Sequence, residues 1–358
     1  MSKAQRTPTP FRSRRPGSTD VARVAGVSQK TVSRVFNDEP YVGEEVRRRV
    51  LEAARQLGYR PNLAARALHS GRTHRIGVAS LGSAFFGPST LLVALERAAR
   101  ETGYALSIVN TFEDEQGSLA DALQSLLAQD VDAIVLLEPI DEGEGPLVVD
   151  VPVLTLGQAP SVSAPTLLTV GAHEGGDPAE DAVRHLLSLG HLTVHHVAGP
   201  LRWWAARERL DGWQRILKEE NRTVPPYIEG DWTAASGYRA GQELARDPEA
   251  TAVFVANDDM AIGVLRGLQE SGRKVPRDIS LVGFDDIPPA AYLSPALTTV
   301  RPDNTMLATI GLQRLVGFLE NPDAPPVPLP APMHQLILRE STDRPRRRTR
   351  KGGSHVMT

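Results

Sequence analysis

In the stretch "GVSQKTVSRVFN", residues 26–37, the apolar Val32, Val35 and Phe36 recur at helical spacing and leave Gln29, Lys30, Thr31, Ser33 and Arg34 on the opposite face. An amide, an ammonium, a guanidinium and two hydroxyls are the groups that read and hold a nucleic acid. Gln pairs with adenine, Lys and Arg with guanine, and Ser or Thr hydroxyls with phosphate oxygens. The competing reading is an ordinary solvated helix face.

A second set of chemistry-bearing residues lies far downstream. Asn257 and Asp258 end the run "VAND", Asp285 and Asp286 end "VGFDD", Trp232 sits in "EGDWTAASGY", and Arg207 and Arg209 sit in "WWAARERLDGW". Carboxylates, an amide and guanidiniums supply oriented hydrogen bonds, and an indole supplies an apolar platform. That combination suits a sugar, whose hydroxyls need polar partners and whose C–H face needs an aromatic. Each residue also has a structural reading: Arg209 as an ion-pair partner, Trp232 as core, Asp285 as a turn or cap. Trp203 and Trp204 are adjacent, and two neighbours on one helix cannot both face a cleft. The three histidines of "LGHLTVHHVAGP" lack carboxylate or thiolate companions at ligand spacing, and His195 and His196 on a strand would point to opposite faces, so no metal and no cofactor is expected. No Ser-His-Asp set or phosphate-binding glycine loop stands out, and an enzyme is not expected.

The elements that must position these groups follow from periodicity. Val21, Ala22 and Ala25 form one helical face before Gly26, which suits the positive φ of a tight turn, and Ser28 can cap the next helix. Val46, Val50, Ala53 and Leu57 form a third face. From Ile76 onward β-rich runs alternate with helical stretches in two series, "IGVAS" to "VPVLTL" and "HHVAG" to "ISLVGF". Such alternation predicts two doubly wound parallel-sheet subdomains, which bind ligands beyond the carboxyl ends of their strands.

At 358 residues the chain has room for two or three domains, and without cysteine it has no disulfide or thiolate chemistry. No signal-peptide pattern or membrane span is read, so a soluble cytoplasmic protein is expected. Residues 1–75 carry 16 Lys/Arg against 6 Asp/Glu, a net of +10, whereas residues 76–340 carry 18 against 36, a net of −18. Only the first part is suited to a polyanion, unless its charge belongs to a solvated tail.

The segment "DVARVAGVSQKTVSRVFN" followed by "VRRRVLEAARQLGYRPNLAARALHSGRT" closely resembles the headpiece and hinge of the lactose-repressor (LacI/GalR) family, and the resemblance runs on to about Arg339. It implies an α/β protein: an N-terminal three-helix helix-turn-helix headpiece (18–60) and a hinge helix with linker (61–75), followed by two doubly wound, periplasmic-binding-protein-like subdomains within 76–340. The N-subdomain would comprise about 76–170 and 302–330, the C-subdomain about 171–301 and 331–340. Residues 1–17 and 341–358 would be disordered basic tails.

By position, the resemblance implies base reading by Gln29, Lys30 and Arg34, and phosphate contacts from Ser28, Thr31, Ser33 and Asn37. It places Asn62, Ala65 and Leu68 on the hinge, with Leu68 as a wedge in the minor groove. For the effector it implies Arg209, Trp232, Asn257 and Asp285, with Leu81, Ser83 and Phe85 on the facing wall. Gly43 and Val46 stand where the family usually has small hydroxylated residues, Gly157 where some sugar-binding members carry an acid, and Trp203 and Trp204 are unmatched in the pattern. The expected partners are a pseudo-palindromic double-stranded DNA operator, a mono- or disaccharide effector and a second copy of the chain in a homodimer. No membrane partner is expected. The function implied is repression of carbohydrate-utilisation genes, relieved by a galactoside or other glycoside. The alternatives are a non-sugar effector or corepressor on the same fold and, further off, a solute-binding protein or an enzyme. The tail shows no leucine heptad, which favours a dimer over a tetramer.

Overall fold

The computed structural model describes residues 16–36, 41–59, 72–82, 85–111, 118–137, 140, 147–158, 162–171, 177–323, 325–330 and 333–346. The chain divides into two units, Met1–Thr73 and His74–Thr358.

Unit one holds three helices, α1 (Ser18–Ala25), α2 (Gln29–Phe36) and α3 (Glu44–Leu57). Gly26 ends α1 at φ 66°, in the left-handed region that only glycine enters without a Cβ penalty. Ser28 then opens α2: its Oγ accepts the Thr31 backbone N–H at 3.1 Å. Val21, Val32 and Val50 are fully buried and, with Val35 and four alanines, form a small core, against which Phe36 and Tyr59 pack ring to ring at 5.5 Å. A core this small leaves most of α2 for other uses.

Unit two contains two parallel sheets. The first is built from β1 (Arg75–Leu81), β2 (Ala105–Thr111), β3 (Ala133–Leu137), β5 (Val153–Leu156) and β7 (Leu167–Val170) in the order β2-β1-β3-β5-β7, while β4 (Leu147–Val148) and β6 (Val162–Ser163) pair separately. Strand side chains alternate between two faces. Ile76, Val78, Val135 and Leu154 meet α4 (Phe86–Glu101), and Ala79, Ile134, Leu136 and Val153 meet α5 (Ser118–Leu127).

The second sheet uses β8 (His195–Ala198), β9 (Ile228–Glu229), β10 (Ala252–Val255), β11 (Ser280–Phe284), β12 (Thr298–Pro302) and β13 (His334–Ile337), in the order β13-β12-β11-β10-β8-β9, with only the β12–β13 pair antiparallel. On one face lie α6 (Pro178–Ser188) and α7 (Trp204–Glu219), on the other α8 (Ala234–Arg246) and α9 (Asp258–Glu270). After β12 the chain crosses back: α10 (Asn304–Glu320) buries Ala308, Leu312 and Leu315 in the core of the first sheet before β13 rejoins the second.

The start of the expected C-terminal tail is ordered. Ser341 is fully buried; its Oγ accepts the Thr298 N–H at 2.8 Å and donates to the Leu281 carbonyl at 2.6 Å, stitching β11 to β12. Asp343 continues the seam by donating its N–H to Ser280 Oγ at 3.0 Å. The tail therefore does not begin at 341, because these polar groups satisfy strand-end backbone that would otherwise be buried without partners.

Candidate functional site

The first candidate surface is the solvent side of α2. With Val32 and Val35 inside, helical geometry turns Gln29, Lys30, Ser33 and Arg34 outward and leaves Thr31 half-buried. Gln29 Nε2 donates to Ser18 Oγ at 2.9 Å, and Ser28 and Thr31 share a hydroxyl–hydroxyl bond at 2.8 Å. The polar row is thereby organised from one end. Asn37 on this segment, and Asn62, Ala65 and Leu68 of the expected hinge, lie outside the described residues.

The second candidate is a cleft of about 790 Å³ within unit two, lined from the first sheet's side by Phe85, Phe86, Leu137, Gln158 and Leu307 and from the second by Trp203, Trp204, Arg209, Trp232, Asn257 and Asp285. It lies beyond the carboxyl ends of β3, β5 and β11, as expected of open α/β sheets. Arg209 Nη1 donates to the Ala256 carbonyl at 2.6 Å, its guanidinium stacks 3.6 Å from the Phe284 ring centre, and Nη2 stands 3.9 Å from Asp285 Oδ1. That last separation is too long for a hydrogen bond. Burial lowers the proton affinity of Arg209, with Asp285 opposing the shift, and burial pushes Asp285 up to about 6 against the pull of Arg209. Each charge is desolvated beside a partner that it does not touch.

The backbone holding these groups is unusual. Asp285 and Asp286 have φ of 102° and 51°, and Trp232 has 67°. Non-glycine residues pay about 1–3 kcal/mol for such conformations, which persist where the surroundings enforce them. Asn257 does so for Trp232: its Nδ2 donates to the Trp232 carbonyl at 3.0 Å while its Oδ1 accepts the Met260 N–H and caps α9. The outer edge of the Trp232 indole packs against the chain at Gly199, where a Cβ would come within 2.3 Å of it.

The four carboxylates of "NDD" and "FDD" do different things. Asp285 reaches the cleft, whereas Asp286 is held by Arg301 and Arg339. Asp258, pushed up to about 8 by burial, accepts from Thr299 Oγ1 at 2.7 Å and the Ile287 N–H at 3.0 Å. Asp259 is half-buried and adds repulsion to Asp285.

Some expectations change. Trp203 and Trp204 both line the cleft: Trp203 precedes the helix in extended conformation (φ −89°, ψ 130°), so the two indoles are not constrained to helical directions. Trp203 packs edge-on against Trp232 at 5.5 Å and against Phe85 at 5.6 Å, joining the two sides of the cleft. Asn257 borders the cleft, yet both ends of its amide already serve the cap and the Trp232 turn. Leu81 is buried in the apolar cluster with Trp203 and Ile287 and does not appear along the described cleft wall. Ser83 lies outside the described residues. Two indole N–H groups bordering the cleft, Nε1 of Trp204 and of Trp232, are buried without a hydrogen-bond partner.

The three histidines go to three places. His191 bonds Thr251, Ser280 and the Asp343 carbonyl; His195 meets Asp247 at 3.1 Å; and His196 stacks between Trp213 and Phe254, its pKa pulled down to about 3 by burial. Among the described residues no helix is long and apolar enough to cross a membrane.

Comparison with known proteins agrees with this layout. Residues 19–62 match the family described as bacterial regulatory proteins, lacI family, and residues 183–342 match a periplasmic binding protein-like domain. The lactose operon repressor of Escherichia coli (strain K12) is 36% identical over 304 residues, covering 83% of each chain. Among solved structures, the lac repressor dimer bound to operator and the anti-inducer ONPF superposes with a TM-score of 0.73 at 30% identity, covering 92% of this chain and 100% of that one. A complex of the transcriptional regulator CelR with cellobiose follows at 0.62 and 28%, covering 91% and 100%. The chain belongs to the lacI family of bacterial regulatory proteins, DNA-binding transcription repressors rather than enzymes.

Proposed function

We propose that this repressor is released from its operator by a sugar, and that it controls genes of carbohydrate use. The observation that carries the sugar reading is the Arg209–Asp285 pair, a fixed donor and a fixed acceptor 3.9 Å apart beside the Trp232 indole. A hydroxyl oxygen set between them at about 2.8 Å from each accepts from Nη2 and donates to Oδ1. A sugar hydroxyl does both from one atom. The aromatic pair Trp203 and Trp232 offers the sugar's C–H face a shelf, and Phe85 closes it from the other side. The relative bound to cellobiose and the lactose operon repressor support a carbohydrate ligand.

On the DNA side, Gln29, Lys30 and Arg34 read bases, Ser28, Thr31, Ser33 and Asn37 hold phosphates, and Asn62, Ala65 and Leu68 act in the minor groove. The protein works as a homodimer on a pseudo-palindromic operator, because one headpiece reads one half-site. The similar lac repressor structure is a dimer on its operator. A sugar that binds better to the form unable to hold both half-sites shifts the population away from DNA by that difference in affinity.

The test is a thermal-shift screen of mono- and disaccharides on the wild type and Asp285→Ala, with operator binding measured alongside by fluorescence anisotropy. At least one sugar should stabilise only the wild type and weaken its operator binding. If no sugar does, the effector belongs to another chemical class. If one stabilises the protein and tightens operator binding, it is a corepressor.

A further inference from the structure

We propose that the cleft holds a second ring subsite on Trp204, so that the effector is a disaccharide and not a monosaccharide. This rests on the sugar reading above and refines it. Trp204, Glu208, Asp211 and Arg215 recur at four-, three- and four-residue spacing on α7 and all line the cleft. From Trp204 to Arg215 the helix advances about 16 Å at 1.5 Å per residue, so the lined groove outruns a single pyranose ring. Arg209, which holds the first ring with Asp285, lies within this span, leaving the Trp204 end for another.

That end has the chemistry of a sugar platform. The Trp204 indole carries the Arg207 guanidinium over its ring at 4.1 Å, and it borders the cleft. Its Nε1 is buried without a hydrogen-bond partner. A buried, unsatisfied donor is costly, and a hydroxyl or glycosidic oxygen accepting from it removes that cost. Glu208 and Asp211, one and two turns on, face the same groove as acceptors for hydroxyls. Trp203 and Trp204 thus divide the aromatic surface: the first closes the shelf with Trp232 and Phe85, the second extends it.

The test is isothermal titration calorimetry of the full-length protein with glucose, galactose, glucose 6-phosphate, maltose, cellobiose and lactose, on the wild type, Trp204→Ala and Glu208→Gln. The wild type should bind one disaccharide at least tenfold more tightly than the monosaccharides it contains. Trp204→Ala should remove that preference and leave monosaccharide affinity within twofold. Glu208→Gln, which keeps the side-chain shape, should weaken the disaccharide more than the monosaccharides, so the proposal stays testable should Trp204→Ala fold poorly. Equal affinity for mono- and disaccharide in the wild type, equal weakening of both by either variant, or preferred binding of the phosphate overturns the subsite while the sugar reading stands. Binding of none of these compounds overturns the subsite, and the sugar reading falls only if the wider thermal-shift screen is also empty.

Discussion

The headpiece and the cleft solve recognition in opposite ways. On α2 the groups proposed to recognise DNA are exposed side chains on one regular helix, and three small helices need bury only a handful of valines and alanines to present them. In the cleft the groups proposed to recognise the effector are buried or half-buried, come from strand ends, loops and a helix start distant in sequence, and sit on backbone with positive φ at Trp232 and Asp285. An exposed row can be changed one residue at a time. A buried constellation is coupled, because each group supports the next.

The sharpest way to break this contrast is Arg209→Ala. It leaves Asp285 desolvated without its counter-charge and removes a donor from the ligand, so effector affinity should fall by more than about 100-fold, a loss typical of splitting a buried charge pair. Operator affinity without effector should change less than threefold; titration calorimetry and anisotropy read the two arms. A large loss on the DNA side would show that the units are not separable.

Substitutions on α2 should be smaller and selective. Gln29→Ala should relax preference at one operator position by about 1–3 kcal/mol, the range for a good base contact. Ser33→Ala should weaken all operators alike by less than that. Equal losses on every sequence from both variants would remove the division between reading and gripping.

Acid gives the next effect. An ionised Asp285 carboxylate is a stronger acceptor for a hydroxyl than the neutral acid, and burial holds its pKa at about 6. Effector affinity should therefore be constant above pH 6 and fall by up to about tenfold per unit below it, a slope that Asp285→Asn should abolish. The sign for stability is opposite. The folded carboxyl keeps its proton to about 6 and an unfolded one loses it near 4, so the effector-free protein loses this contribution as pH rises from 4 to 6. A melting temperature that rises through that window in the wild type but not in Asp285→Asn would contradict the assignment.

The smallest expected effect concerns the basic residues after Arg346. Their removal should reduce the salt dependence of DNA binding slightly. The cut belongs there and not at Glu340, because truncation at Glu340 would delete Ser341 and open the seam between β11 and β12.

How legible each part was in the sequence follows from the same contrast. The headpiece could be read from periodicity, since Gly26, Ser28 and the valines of α2 act within one or two turns. The parallel sheets announced themselves as β-rich runs between amphipathic helices. Side-chain direction at the cleft did not. Trp203 and Trp204 look like helical neighbours until one sees that α7 begins between them, with no capping side chain at Trp203 to mark the boundary. Asn257 has the right type for a ligand, but its amide is engaged by the Trp232 turn, a contact across 25 positions of chain. Ser341 is a polar residue in a polar stretch, and its burial depends on strand ends more than 40 residues upstream.

The crossing of α10 back to the first sheet bears on how the protein is made. Neither sheet of unit two can complete its core from a contiguous piece of chain: the first waits for Ala308, Leu312 and Leu315, the second for β13 and the Ser341 seam. The headpiece, with its local contacts, is free to form as soon as its own residues leave the ribosome. During synthesis a DNA-reading surface therefore precedes the body that controls it by more than 200 residues. An interrupted chain would carry that surface on an unfinished body whose apolar core lacks its last helix and strand.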